Sequence, residues 1–145
     1  MLNIIVGKYT ETNNFGRLLG MDFKVVEPGI IEYRMKIEEK HLATPRAAHG
    51  GAIAALMDAL LGLAALSVVA ADGKAVSTVE FKINYFSPIY FNDELLGTAQ
   101  VEKKGSRIIF TAGKIMAVNR NSEVVATGTG TFNAYPVEKA GYSQS

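Results

Sequence analysis

The sequence predicts an α+β fold, one antiparallel sheet of about five to six strands wrapped around a single long central helix. Three observations carry this. The stretch PRAAHGGAIAALMDALLGLAALSVVAA (45–71) is apolar or small almost throughout and holds one long helix; alternating segments flank it; short turns, such as Lys104-Gly105 and NRNS (119–122), separate those segments. Strands joined by short turns build an antiparallel sheet, and so apolar a helix has to lie against its concave face.

At 145 residues the chain is expected to form a single domain (1–145), with a frayed tail from Pro136 to Ser145. TNNFGRLLG (12–20) suggests a short helix with Gly20 as its stop. MDFKVVEPGIIEYRMKIEEKHL (21–42) alternates on both sides of the turn Glu27-Pro28-Gly29, and puts Ile31, Tyr33, Met35 and Ile37 on one face. ATPRA (43–47) connects to the helix, which starts near His49 or Gly50; the turn ADGK (71–74) closes it. STVEFKINYFSP (77–88) alternates next, with Val79, Phe81, Ile83 and Tyr85 opposite Thr78, Glu80, Lys82 and Asn84. ELLGTAQVEKKG, SRIIFTAGKIMAVN and EVVATGTGTFNAY follow as hairpin-linked strands.

Composition narrows the function. Fifteen Lys and Arg stand against fourteen Asp and Glu, so no charge excess draws the chain to nucleic acid or to a membrane surface. With no Cys there is neither disulfide frame nor thiol nucleophile, which fits a cytoplasmic location. The two histidines, His41 and His49, lack a ligand spacing, so no metal is expected. MLNIIVGKYT lacks the basic start and cleavage site of a secretory signal. Gly50 to Ala70 is long enough to span a membrane, but it is rich in Ala and Gly, and Asp58 near its centre would cost about 2.5–3.5 kcal/mol there. A buried core helix is the better reading.

Asp58 is the anomaly in that helix, because an unpaired carboxylate among apolar groups is costly. On a helical projection Ile53, Leu56, Met57, Leu60 and Leu63 gather on one side. Gly51, Ala54, Ala55, Gly62 and Ala65 gather on the other, with Asp58 at their centre. The bulky side is core; the small side leaves a slot or admits another backbone. Asp58 is therefore either a carboxylate satisfied by a neighbouring element or a catalytic or ligand-contacting group. His49-Gly50-Gly51 opens the helix, where free amides and the helix dipole favour negative charge. Two glycines there serve either tight packing or close approach of a substrate oxygen, and His49 either caps or transfers protons. Gly50 and Asp58 are eight residues apart, about 12 Å along the axis. One carbonyl needs both groups within about 3 Å, so joint action requires two antiparallel copies sharing sites across a two-fold axis.

HGGAIAALMD (49–58), with its acid nine residues after His49, resembles the helix motif of the PaaI-like hotdog-fold acyl-CoA thioesterases. LLGMDFKVVEPGIIEYRM is similar to that family's opening and STVEFKINYFSP to the strand after its central helix, so the resemblance covers nearly the whole chain. It implies a hotdog fold, a homodimer or homotetramer with sites between subunits, and hydrolysis of an acyl-CoA substrate without a cofactor. It implies Asp58 as general base or nucleophile, Gly50 as the amide that polarises the carbonyl, His49 as an orienting group and Thr78 as a hydroxyl that helps hold the attacking water. Gly51, Lys82, Tyr85 and Arg107 are candidates for substrate binding, with Lys103 and Lys104 further candidates for the CoA phosphates and Phe86 and Tyr90 for the acyl side. One position departs from the family pattern HLNxxGxxHGG: here HLATPRAAHGG puts Ala43 for the Asn and Arg46 for the Gly. Loss of one oxyanion donor costs roughly 10²–10³ in rate. A non-catalytic acyl-CoA or fatty-acyl binding module, and a hotdog dehydratase or hydratase using His49, are the competing readings.

Overall fold

The computed structural model describes residues 1–142. Two helices, α1 (Leu2–Thr12) and α2 (Asn14–Leu19), precede the hairpin β1 (Asp22–Glu27) and β2 (Ile30–Lys36). The long helix α3 (Gly50–Val69) comes next, followed by β3 (Lys74–Tyr85), β4 (Glu94–Lys104), β5 (Ile108–Ala117) and β6 (Glu123–Pro136). The six strands form one sheet in the order β1-β2-β4-β5-β6-β3, every neighbouring pair antiparallel. This is the α+β architecture the alternation implied.

The sheet curls around α3, which touches five of its strands. Leu56, Met57, Leu60 and Leu61 are fully buried on the sheet side, and Ile31, Tyr33, Met35 and Ile37 of β2 and its extension meet them as the alternation required. The helix sits close because the strands beneath it carry glycine: a Cβ on Gly128 would lie 2.8 Å from both the Lys82 carbonyl and the Met57 sulfur. By length and hydropathy α3 and the turn after it would pass for a membrane span, but most of that stretch is buried inside the fold.

The N-terminal stretch, to which the sequence reading assigned no element, forms α1, with Ile5 buried and Leu2 and Tyr9 packed against the core. Two expectations need correction. The tail is not frayed from Pro136: Val137–Ala140 forms a 3-10 turn, and the Val137 amide donates to the Gly73 carbonyl at 3.0 Å. Residues 143–145 of that tail lie outside the described residues. Finally, β3 does not alternate evenly. Pairing with β6 shifts register between Thr78 and Glu80, so Val79 is an inserted residue, a β-bulge, and it is 57% exposed. Thr78 pairs with Phe132 while Phe81 and Ile83 pair with Gly130 and Gly128. Thr78, Phe81, Ile83 and Tyr85 therefore share the concave face, and Glu80 and Lys82 point outward.

A part-buried ion pair, Asp93 with Arg120, fixes the β3–β4 connection beside the start of α3. Asp93 is 3% exposed and accepts hydrogen bonds from the Tyr90 amide (2.8 Å), Asn119 Nδ2 (2.9 Å) and Arg120 Nη2 (2.7 Å). Arg120 also donates to the Pro88 carbonyl. The loop fixed in this way pairs with the segment before the helix, through Ala48 N to the Ile89 carbonyl (2.8 Å) and Phe91 N to the Arg46 carbonyl (2.9 Å). Burial alone would raise the Asp93 carboxyl, but the bonds from Asn119, Tyr90 and Arg120 outweigh it and hold the group below the ordinary carboxylate value. A depressed folded value stabilises the fold above the unfolded value of about 3.9 and ceases to do so as pH falls through the folded one. Thermal unfolding from pH 7 down to pH 2 should thus show a loss of stability below about pH 4 that Asp93→Asn lacks. At pH 7, Asp93→Ala should cost about 1–3 kcal/mol, because the Tyr90 amide and Asn119 lose their acceptor while Arg120 keeps Glu123 and the Pro88 carbonyl.

Candidate active site

Asp58 occupies the ninth position of α3, on the flank that the bulky residues leave free. Thr78 Oγ1 donates to Asp58 Oδ1 at 2.8 Å, a contact possible only because the bulge at Val79 turns Thr78 inward. Asp58 Oδ2 has no protein partner among the described residues. The carboxylate opens into a cavity of about 180 Å³ whose other walls include Ala59, Gly62, Leu66 and Phe132. The small flank of α3 is thus a slot around Ala59 and Gly62, whereas Ala65, expected on the same open side, is fully buried.

The start of α3 forms a second cluster. His49 is the N-cap, and its Nδ1 accepts the Gly51 amide at 2.7 Å; its carbonyl accepts from the Ala52 amide at 3.0 Å. The Gly50 amide, at the positive end of the helix dipole, has no acceptor among the described residues. The Gly50 carbonyl accepts from the Tyr85 hydroxyl at 2.6 Å, so the end of β3 is tethered to the helix start. Desolvation at that contact pushes the Tyr85 phenol up and keeps it a donor. His49 therefore caps and orients, and Tyr85 spends its hydroxyl on the backbone.

The structure brings Asp58 and Thr78 together, and His49, Gly50, Gly51 and Tyr85 together, but leaves the two groups apart along one unbroken helix. Phe86 lines a shallow hollow with Gly50, Ile53 and Tyr85, while Tyr90 lies beside Arg46; neither lines the Asp58 cavity. Lys82 is on the convex face, where its neighbour across the ladder is Thr129. Arg107, Lys103 and Lys104 sit at the β4–β5 hairpin near the far end of α3, with Lys104 paired to Asp72 at 3.2 Å. Ala43 is exposed, and the neighbouring Thr44 hydroxyl accepts the Ala47 amide at 3.0 Å within its own loop.

Several cavity residues escaped the sequence reading, among them Tyr9 of α1 and Tyr142 after the terminal turn. Burial above all, and then Tyr33, Tyr142 and Asp58, push the Tyr9 phenol well above the ordinary tyrosine value, so it stays neutral. The spacing of Leu2, Ile5 and Tyr9 was the available signal for that helix.

Residues 47–124, which hold His49, Gly50, Asp58 and Thr78, match the model of the thioesterase superfamily. The chain belongs to the thioesterase superfamily. Human acyl-coenzyme A thioesterase 13 is 30% identical to this superfamily member over 131 residues, 84% of this chain and 92% of the human protein. Among solved structures, a thioesterase family protein from Silicibacter pomeroyi aligns with a TM-score of 0.81 at 25% identity, covering 91% of this chain and 96% of that one. The Escherichia coli PaaI protein from the phenylacetic acid degradation operon aligns with a TM-score of 0.77 at 21% identity, over 90% of each chain. The fold is thus the PaaI-like hotdog that the helix motif indicated.

His49→Ala frees the Gly51 amide and should cost about 1 kcal/mol. Tyr85→Phe should cost about 0.5–1.5 kcal/mol. Each is read as a lowered Tm in calorimetry; an unchanged Tm for both would mean that the helix start is not held by these bonds.

Proposed function

We propose that the protein hydrolyses an acyl-CoA thioester to the free acid and coenzyme A, with Asp58 as the reacting carboxylate. The observation that carries this is the state of that group: one oxygen is held by Thr78, and the other, without a partner among the described residues, faces a cavity of mixed polar and apolar lining. Kinship with the thioesterase superfamily supports the reaction class, and the likeness to human acyl-coenzyme A thioesterase 13 supports the acyl-CoA substrate. Asp58 either takes a proton from water as that water adds to the carbonyl carbon, or adds to it directly and forms an anhydride that water then opens. In both courses the C–S bond breaks and the thiolate leaves as CoA. Thr78 orients the carboxylate, and a Gly50 amide polarises the thioester carbonyl.

Within one chain those amides and Asp58 are too far apart, so we assign the site to a homodimer, with pairing into tetramers open to it. β3 supports the assignment. It is twelve residues long, and among the described residues it pairs only with β6, leaving its other edge bare, with Val79 and Tyr85 exposed beside it. A bare edge of this length invites strand pairing. Antiparallel pairing of two β3 strands about a point between Phe81 and Lys82 sets Thr78, with its Asp58, opposite the partner's Tyr85, with its Gly50.

Non-catalytic acyl-CoA binding is the second reading. Ala43 favours it, since it has no side-chain amide where the family pattern carries one.

Hydrolysis over a panel of acyl-CoAs should fall at least about 10³-fold in Asp58→Asn; binding without turnover in wild type would select the second reading. Gly50→Pro removes the amide at the first helical position, where proline is tolerated, and should also be inactive. Mixing the two inactive variants should restore about a quarter of wild-type activity, because half the dimers are mixed and each holds one intact site. No recovery after subunit exchange would refute the shared site. Single-turnover hydrolysis in ¹⁸O-water, followed by mass spectrometry of Asp58, separates the two courses, since only a nucleophilic carboxylate acquires the label.

A further inference from the structure

We infer, on the basis of the thioesterase reading above, that the cavity beside Asp58 is the acyl subsite and that it is short, closed by Leu66 at its end and walled by Tyr9. The residues of α3 that line it run from Asp58 to Leu66, about 12 Å along the axis. The reactive pair Asp58 and Thr78 lies at one end. Phe132 (1% exposed), the ladder partner of Thr78, walls that end, and toward the other Leu66 (5% exposed) closes the cavity beside Ala75 (5% exposed). Ala59 and Gly62 make the groove along the helix. Its width is at a limit there, because a Cβ on Gly62 would come within 3.1 Å of Phe132 Cε1.

The volume of about 180 Å³ sets the substrate class. A dry cavity of roughly 150 Å³ admits benzene, so this one takes a straight acyl chain of about six carbons or a single ring. The wall is rigid. The Tyr9 hydroxyl lies 3.3 Å from that of Tyr33, its ring packs on Phe23 at 5.9 Å between centroids, and Ile5 anchors the same helix in the core. A longer chain would have to displace α1 from these contacts. Each methylene gained or refused in such a pocket changes kcat/KM by about tenfold or more.

The test is the kcat/KM profile for straight-chain acyl-CoAs from acetyl to tetradecanoyl. Wild type should peak near butyryl to hexanoyl and fall at least about tenfold by decanoyl. Leu66→Ala should move the peak at least two carbons longer, and Ala59→Leu should move it toward acetyl. Melting curves establish that each variant is folded; Leu66→Val replaces the alanine variant if it is not. In parallel, free carboxylic acids of the same lengths should raise the wild-type Tm up to about six carbons and not beyond. A wild-type peak at decanoyl or longer, or folded variants with an unmoved profile, overturns the inference and leaves the thioesterase reading standing. Absence of hydrolysis with every acyl-CoA overturns that reading instead, and the acid series then decides the size of the cavity by itself.

Discussion

Successive side chains of a β-strand point to opposite faces, and β3 departs from that rule at one residue on which the site depends. With Val79 inserted, Thr78 shares a face with Phe81, Ile83 and Tyr85. Without it, strict alternation would put the Thr78 hydroxyl on the convex side, and Asp58 would have no donor from the sheet. The carboxylate is tolerable in an apolar helix because this one strand irregularity supplies a hydrogen bond at 2.8 Å and because the flank of small residues leaves it partly open to solvent.

The helix start depends on a longer chain of positioning. Gly50 and Gly51 are poor helix formers, and a first turn built from them would fray. His49 caps it, Tyr85 ties it to β3, and the segment before it is paired to a loop that the part-buried Asp93–Arg120 contact immobilises. Glycine leaves the amide open to approach, while rigidity comes from neighbouring side chains. Flexibility of sequence and rigidity of structure are thus separated onto different residues.

Where local chemistry decides the structure, the sequence was legible. The apolar face of β2, the boundaries of α3, the Gly20 stop and the hairpins all follow from period and turn residues, and Asp58 stood out because a charge in an apolar run has to be explained. What was not legible depends on partners far along the chain. No glycine or proline marks the bulge at Val79; its register is set by β6, some fifty residues later. α1 has no side-chain N-cap, and its helical form rests on burying Ile5 and packing Tyr9. The turn after Pro136 is held by the distant Gly73 carbonyl. For the same reason Thr78 was a candidate by position, while its orientation toward Asp58 required the fold.

The sheet order also governs when the molecule can come into being. Among the described residues β3 finds its sole hydrogen-bonded neighbour within the sheet in β6, the last strand to leave the ribosome. Until that strand arrives, a twenty-residue apolar helix stands without part of its cover, and the strand bearing Thr78 has no ladder to join. A chain that stops short of β6 therefore leaves β3 without its ladder and part of α3 uncovered, so the Asp58–Thr78 contact is among the last features the growing chain can form.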